Sequence, residues 1–69
     1  MPLPVIVVYM WSGVSDGAKK GIIFGITKVF EELGIPPHAV EVIIVEVPKE
    51  NWGVGGEQAS EKLKEVKPP

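Results

Sequence analysis

Three stretches of the chain carry an ordered pattern of apolar positions, and each predicts a different element. Residues 3–11 are apolar almost without interruption and rich in β-branched and aromatic side chains. Such a run predicts a strand covered on both faces, with Pro4, Ile6, Val8 and Met10 on one and Val5, Val7, Tyr9 and Trp11 on the other. Pro2 and Pro4 donate no backbone hydrogen bond, so they belong at the start of that strand or at a sheet edge. Ser12 and Gly13 break the run, and Ser15 before Asp16 reads as the cap and first turn of a helix. Ile22, Ile23, Ile26, Val29, Phe30 and Leu33 follow at helical spacing. Gly34 stands where a terminating glycine belongs, and Pro36 and Pro37 forbid continuation, so the predicted helix covers residues 16–33. Residues 39–47 predict a second strand, with Val40, Val42, Ile44 and Glu46 on one face and Glu41, Ile43, Val45 and Val47 on the other.

Strand, helix and strand in succession form a β-α-β unit, an α/β arrangement with parallel strands and a right-handed crossover. Pro48 ends the second strand, and Asn51, Trp52, Gly53, Val54, Gly55 and Gly56 then describe a tight hairpin tip. Trp52 at its mouth is either packed into the core, stacked on a planar substrate or plugged into a neighbouring subunit. Neither the order of a dinucleotide loop nor that of a phosphate loop is present there. Residues 57–66 predict a short helix with Ala59, Leu63 and Val66 inward, and residues 67–69 are expected to fray. Within the long helix, Gly17, Gly21 and Gly25 form a stripe along which another backbone is expected to pack. Lys19, Lys20 and Lys28 exclude a membrane-dimer role for that stripe.

Size and composition turn this pattern into an expectation of assembly. The chain has 69 residues, one domain over residues 1–69, and a core of that size supplies only about 3–5 kcal/mol. It contains no cysteine, and His38 is its only histidine, so neither a disulfide framework nor the usual zinc ligand set is available. Yet 45% of the residues are hydrophobic, and one helix can cover only one face of the strands. The second face predicts a partner subunit. The net charge of −2 gives no basic footprint for nucleic acid. The apolar N-terminus has neither a charged leader nor a cleavage site, and no segment approaches the roughly 20 apolar residues of a membrane span. A cytoplasmic location away from membranes is the expectation.

The run Pro48, Lys49, Glu50, Asn51, Trp52, Gly53, Val54, Gly55, Gly56 and Glu57 resembles the stretch after the second strand in the 4-oxalocrotonate tautomerase family. Gly13 with Ser15 and Asp16, Lys19, and the series Leu33, Gly34, Ile35, Pro36, Pro37 agree with it, and the resemblance spans residues 4–64. It implies a β-α-β tautomerase-like subunit with a C-terminal Gly-rich hairpin, assembled as three dimers into a homohexamer. It also implies cofactor-free keto–enol tautomerisation of a small enolisable 2-oxo acid or aryl enol, with no metal. The base would be an N-terminal proline, whose amine starts near pKa 7.7–8.0 and is lowered further by an apolar site.

The resemblance also assigns positions. The pocket aromatic falls on Trp52, while Val14 and Glu41 stand where the family commonly has substrate-binding arginines; the chain has no arginine at all. A carboxylate at Glu41 repels an anionic substrate, and no lysine reproduces the bidentate fork of arginine. The family's N-terminal proline falls on Pro4, whereas removal of Met1 exposes Pro2. Pro2 and Pro4 are therefore the two catalytic candidates, and Trp52, Val14 and Glu41 the substrate-binding ones. Each has a plain alternative: a strand-start proline for Pro2 and Pro4, a solvated strand residue for Glu41. His38, Lys19 and Lys49 read first as surface or solvated groups, the two lysines as weak substitutes for arginine. Two other functions stay open: a tautomerase fold kept for structure or interaction alone, and a hydratase or dehalogenase in which Glu41 activates water.

Overall fold

The β-branched runs pair side by side, and the helix between them crosses over one face. A computed structural model of the protein describes residues 3–69; the expectations placed on Met1 and Pro2 lie outside the described residues. Strand β1 (Val5–Trp11) pairs in parallel with β2 (Glu41–Val47), in a register that runs from Val5 opposite Glu41 to Trp11 opposite Val47. Helix α1 (Asp16–Glu32) makes the crossover between them. Its start is fixed by Ser15, whose side chain accepts from the Ala18 N–H at 3.1 Å. Its end is fixed by Gly34 at φ 91°, which lets the Gly34 and Ile35 N–H groups reach back to the carbonyls of Glu31 and Phe30.

The second strand starts two residues later than the pattern predicts. Pro37 takes the first position of a single 3₁₀ turn (Pro37–Ala39), which Pro36 and Pro37 close by accepting from the Ala39 and Val40 N–H groups. The first strand likewise starts at Val5, although the Pro4 carbonyl still accepts from the Glu41 N–H at 3.0 Å.

Only one face of this two-stranded sheet is covered along its length. Ile6, Val8, Met10, Val42 and Ile44 are half-buried on one face of the sheet, and Ala18, Ile22, Ile26 and Phe30 are half-buried apolar positions of α1. On the opposite face Val5, Val7, Tyr9 and Ile43 remain between 45% and 63% exposed. Among the described residues only Val14, Ala39 and Ala59 are buried. The radius of gyration is 14.8 Å, against roughly 11 Å for a compact domain of this length. The chain is a flat, two-layered slab whose apolar burial is incomplete.

The remainder packs at the carboxyl end of the strands. A 3₁₀ turn (Lys49–Asn51) leads into a hairpin of β3 (Gly53–Val54) and β4 (Glu57–Gln58). Gly55 and Gly56, at φ 61° and 86°, form the two-residue turn between them, a conformation that suits the twist of a hairpin. Helix α2 is only four residues long (Ala59–Lys62), shorter than the pattern predicts, with Ala59 fully buried and Val66 47% exposed. Beyond it the Lys49 ammonium takes the carbonyls of Leu63 and Val66. Residues 67–69 do not fray. The Ser15 N–H donates to the Pro69 carbonyl at 3.1 Å, and Pro68 lies against Gly13.

Candidate functional site

Parallel strands bring their carboxyl ends to one edge, and ligands of open α/β sheets bind at that edge. Here the edge carries aromatic side chains. Trp11 ends β1 and Trp52 follows the Lys49–Asn51 turn, and their rings meet edge to face with centroids 6.1 Å apart and planes at 80°. Lys49 Nζ sits 4.6 Å from the centroid of the Trp11 ring, within cation–π range. Beside the two tryptophans lies an apolar cavity of about 320 Å³, walled by Tyr9, Met10, Trp11, Trp52 and residues 66–69. That volume is at the small end of the range for small-molecule sites. The Trp11 indole N–H is buried and has no hydrogen-bond partner among the described residues.

The turn that borders this end of the sheet is held electrostatically. Glu46, on β2, accepts from the backbone N–H groups of Gly13 and Val14 at 3.0 and 3.2 Å and pairs with Lys19 of α1 at 2.8 Å. Lys19 first, then the Gly13 N–H, hold the Glu46 carboxyl below its ordinary range, with the Val14 N–H adding to them and desolvation opposing. The arrangement fixes the left-handed Gly13 (φ 102°) and with it the entry to α1. Neither lysine singled out by the sequence is simply solvated. Lys19 is spent on Glu46, and Lys49 on Trp11 and two carbonyls.

The remaining candidates divide between the two ends of the sheet. Trp52 lines the cavity, half-buried, so it is neither sealed in a core nor free. Val14 is 5% exposed beside the Glu46 turn. Pro4 and Glu41 lie at the opposite, amino end of the strands, joined by their backbone hydrogen bond. By strand alternation Glu41 emerges beside Val5 on the uncovered face, and Pro4 belongs to the other. The steps between the ends of a seven-residue strand, at about 3.3 Å each, separate the two groups by about 20 Å. One chain therefore does not bring Pro4 and Glu41 together with Trp52. His38 is exposed in the Pro37–Ala39 turn. Among the described residues no group of three His, Asp or Glu side chains is placed to hold a metal ion.

Sequence reasoning placed Tyr9 and Trp11 on one face of the first strand but neither assigned that face to the side away from the helix nor gathered the two into a site. The signal was available: an aromatic residue at the carboxyl end of one parallel strand, and a second just after the other. The contribution of residues 66–69 left no such signal, because it depends on the long-range bonds from Ser15 and Lys49.

A family model described as tautomerase enzyme matches residues 4–62. A 2-hydroxymuconate tautomerase from Comamonas testosteroni is 42% identical over 60 residues, covering 86% of this chain and 95% of the relative. A probable tautomerase, K2, from Dickeya dadantii is 41% identical over 55 residues, covering 78% of this chain and 82% of the relative. Among solved structures, TomN, a 4-oxalocrotonate tautomerase homologue of the tomaymycin biosynthetic pathway, superposes with a TM-score of 0.84 at 35% identity, covering 88% of this chain and 95% of TomN. A 4-oxalocrotonate tautomerase isozyme from Methylibium petroleiphilum gives a TM-score of 0.79 at 38% identity, with 83% and 94% covered.

Proposed function

We propose, for a chain that belongs to the tautomerase family and is an isomerase, that it moves a proton within a small enolisable 2-oxo acid or aryl enol without a cofactor. The base is the secondary amine of an N-terminal proline: Pro4 in a chain that begins there, or Pro2 in one that begins one residue after Met1. The amine takes the proton of the enol hydroxyl, the enol electrons form the carbonyl, and the resulting prolinium returns a proton to carbon. Enol and ketone are isomers, so the step needs no oxidant, reductant or second substrate.

The observation that carries this reading is the apolar cavity against Trp52, at the position where the family resemblance expects the pocket aromatic. Apolar walls of this kind disfavour the charged amine and so keep a base available near neutral pH. The distance from Pro4 to Trp52 adds a second requirement. At about 20 Å, a base at Pro4 cannot reach a substrate held on Trp52 of the same copy, since direct transfer needs about 2.6–3.2 Å. Neighbouring copies complete the site. The uncovered face of Val5, Val7, Tyr9 and Ile43 supports that association, in a hexamer built of three dimers.

The test is the decay of an arylpyruvate enol followed spectrophotometrically from pH 5 to 9. The expected result is saturable turnover whose kcat/KM rises with pH along a single limb centred below the ordinary α-amino range of about 7.7–8.0. A rate no greater than that of buffer at every pH overturns the proposal.

A further inference from the structure

The family match ends at residue 62, yet the chain continues to Pro69 and does not leave the site. Its last residues return across the turn at residues 13–15 as a strap. The Ser15 N–H holds the Pro69 carbonyl at 3.1 Å, Pro68 rests against Gly13, and Lys49 clamps the carbonyls of Leu63 and Val66. The strap forms one wall of the cavity that also contains Trp11 and Trp52.

That wall supplies a charge the rest of the cavity lacks. Tyr9, Met10, Trp11, Trp52, Val66, Pro68 and Pro69 offer rings and hydrocarbon, and among the described residues Lys67 is the one lysine that lines the cavity. The other nearby lysines are engaged. Lys19 is bound to Glu46, Lys49 to two carbonyls and the Trp11 ring, and Lys62 to Glu57 at 3.6 Å. Lys67 makes no ion pair among the described residues. A planar ligand with an aromatic or vinylic body and one carboxylate matches this layout: the body against the two indoles, the anion on the ammonium. A second carboxylate at the far end of such a ligand meets only apolar wall, where an unpaired charge is costly.

We propose that Lys67, carried into the cavity by the C-terminal strap, is a substrate-binding residue that holds the single carboxylate of an aryl or vinylic monoacid. This deepens the tautomerase reading and rests on it for the word substrate, but the binding itself is measurable without turnover. Trp11 and Trp52 are the only two tryptophans, and both line the cavity, so their fluorescence reports occupancy directly.

The experiment titrates the full-length protein with three probes: cinnamate, its neutral analogue cinnamamide, and the dicarboxylate adipate. The wild type is expected to bind cinnamate most tightly. Lys67→Gln should weaken cinnamate about ten-fold, which is about 1.4 kcal/mol, and leave cinnamamide unchanged. A second variant, Val66→Ser, keeps the clamp on the backbone carbonyls and should weaken cinnamate and cinnamamide alike. Since both side chains are exposed, neither change threatens the fold, and far-UV circular dichroism checks this. Equal affinity of wild type and Lys67→Gln for cinnamate overturns the proposal, as does equal weakening of acid and amide by that substitution. Charge-selective binding without any enol turnover would sustain the role of Lys67 in binding and refute the catalytic reading. Turnover with Lys67-independent binding would do the reverse.

Discussion

Replacing Val7 with aspartate puts a charge in the middle of the uncovered sheet face. Val7 stands opposite Ile43 in the strand register, between Val5 and Tyr9 on the same face, and all four are 45–63% exposed in the single chain. In an isolated subunit the carboxylate would remain in water, and its cost would be confined to strand preference, on a scale of about 1 kcal/mol. In an assembly that covers this face the same carboxylate is desolvated without a partner, at about 3–5 kcal/mol per copy. At about 1.4 kcal/mol per factor of ten, each copy weakens association by roughly a hundred- to several-thousand-fold. Sedimentation velocity at micromolar concentration reads the outcome, with Val7→Thr as a control of nearly equal shape. Wild type and Val7→Thr should sediment as the hexamer and Val7→Asp as smaller species. If Val7→Asp sediments with the wild type, this face is not the interface, and the shared site loses its structural basis.

Other outcomes follow from the same geometry. Val14 and Glu41 provide no cation for a second carboxylate, and losing one desolvated charged hydrogen bond typically costs about 2–5 kcal/mol; a dicarboxylate dienol should therefore show far lower kcat/KM than an aryl enol, and the opposite ranking would move the pocket elsewhere. Because Glu46 is held below its ordinary pKa in the folded chain, its stabilisation is complete above the unfolded value near 4.3 and is lost as pH falls through the lowered folded value. The gap in urea midpoint between wild type and Glu46→Gln should thus be widest at neutral pH and close in acid, and a gap constant with pH would contradict the assignment. Gly56→Val places a β-branched residue at φ 86° in the hairpin turn and should lower stability by about 1–2 kcal/mol at fixed protein concentration, measured by urea unfolding.

The helix and both strands were legible because their signals are local. Ser15, Gly34 and the proline pair mark the ends of α1 within a few residues of chain, and the alternation along residues 39–47 assigns each face of β2. That one sheet face would stay uncovered was equally legible, since one helix cannot screen two apolar faces; that it is the face of Val5, Val7 and Ile43 was not. Where expectation and structure part, both local and long-range contacts are at work. Pro36 and Pro37 fold a 3₁₀ turn that shortens β2, and past the short α2 the chain is tied back by the Lys49 bonds to the Leu63 and Val66 carbonyls. Of the candidate site, Trp52 was found from its neighbours in sequence. Trp11, Tyr9 and the strap were not, because only the tertiary fold brings them beside it.

The role of the prolyl amine is tested most directly by changing the N-terminus alone. A proline nitrogen inside a peptide bond is an amide and cannot accept the enol proton, whereas the same nitrogen at the chain end is a secondary amine. Two preparations are compared, one beginning at Pro4 and one retaining Met1, each with its N-terminal residue verified by intact mass and its assembly by sedimentation. Turnover of an arylpyruvate enol should be faster in the chain that begins at Pro4, with the difference expressed in kcat. Equal rates from the two, at equal assembly, would show that the prolyl amine is not the catalyst.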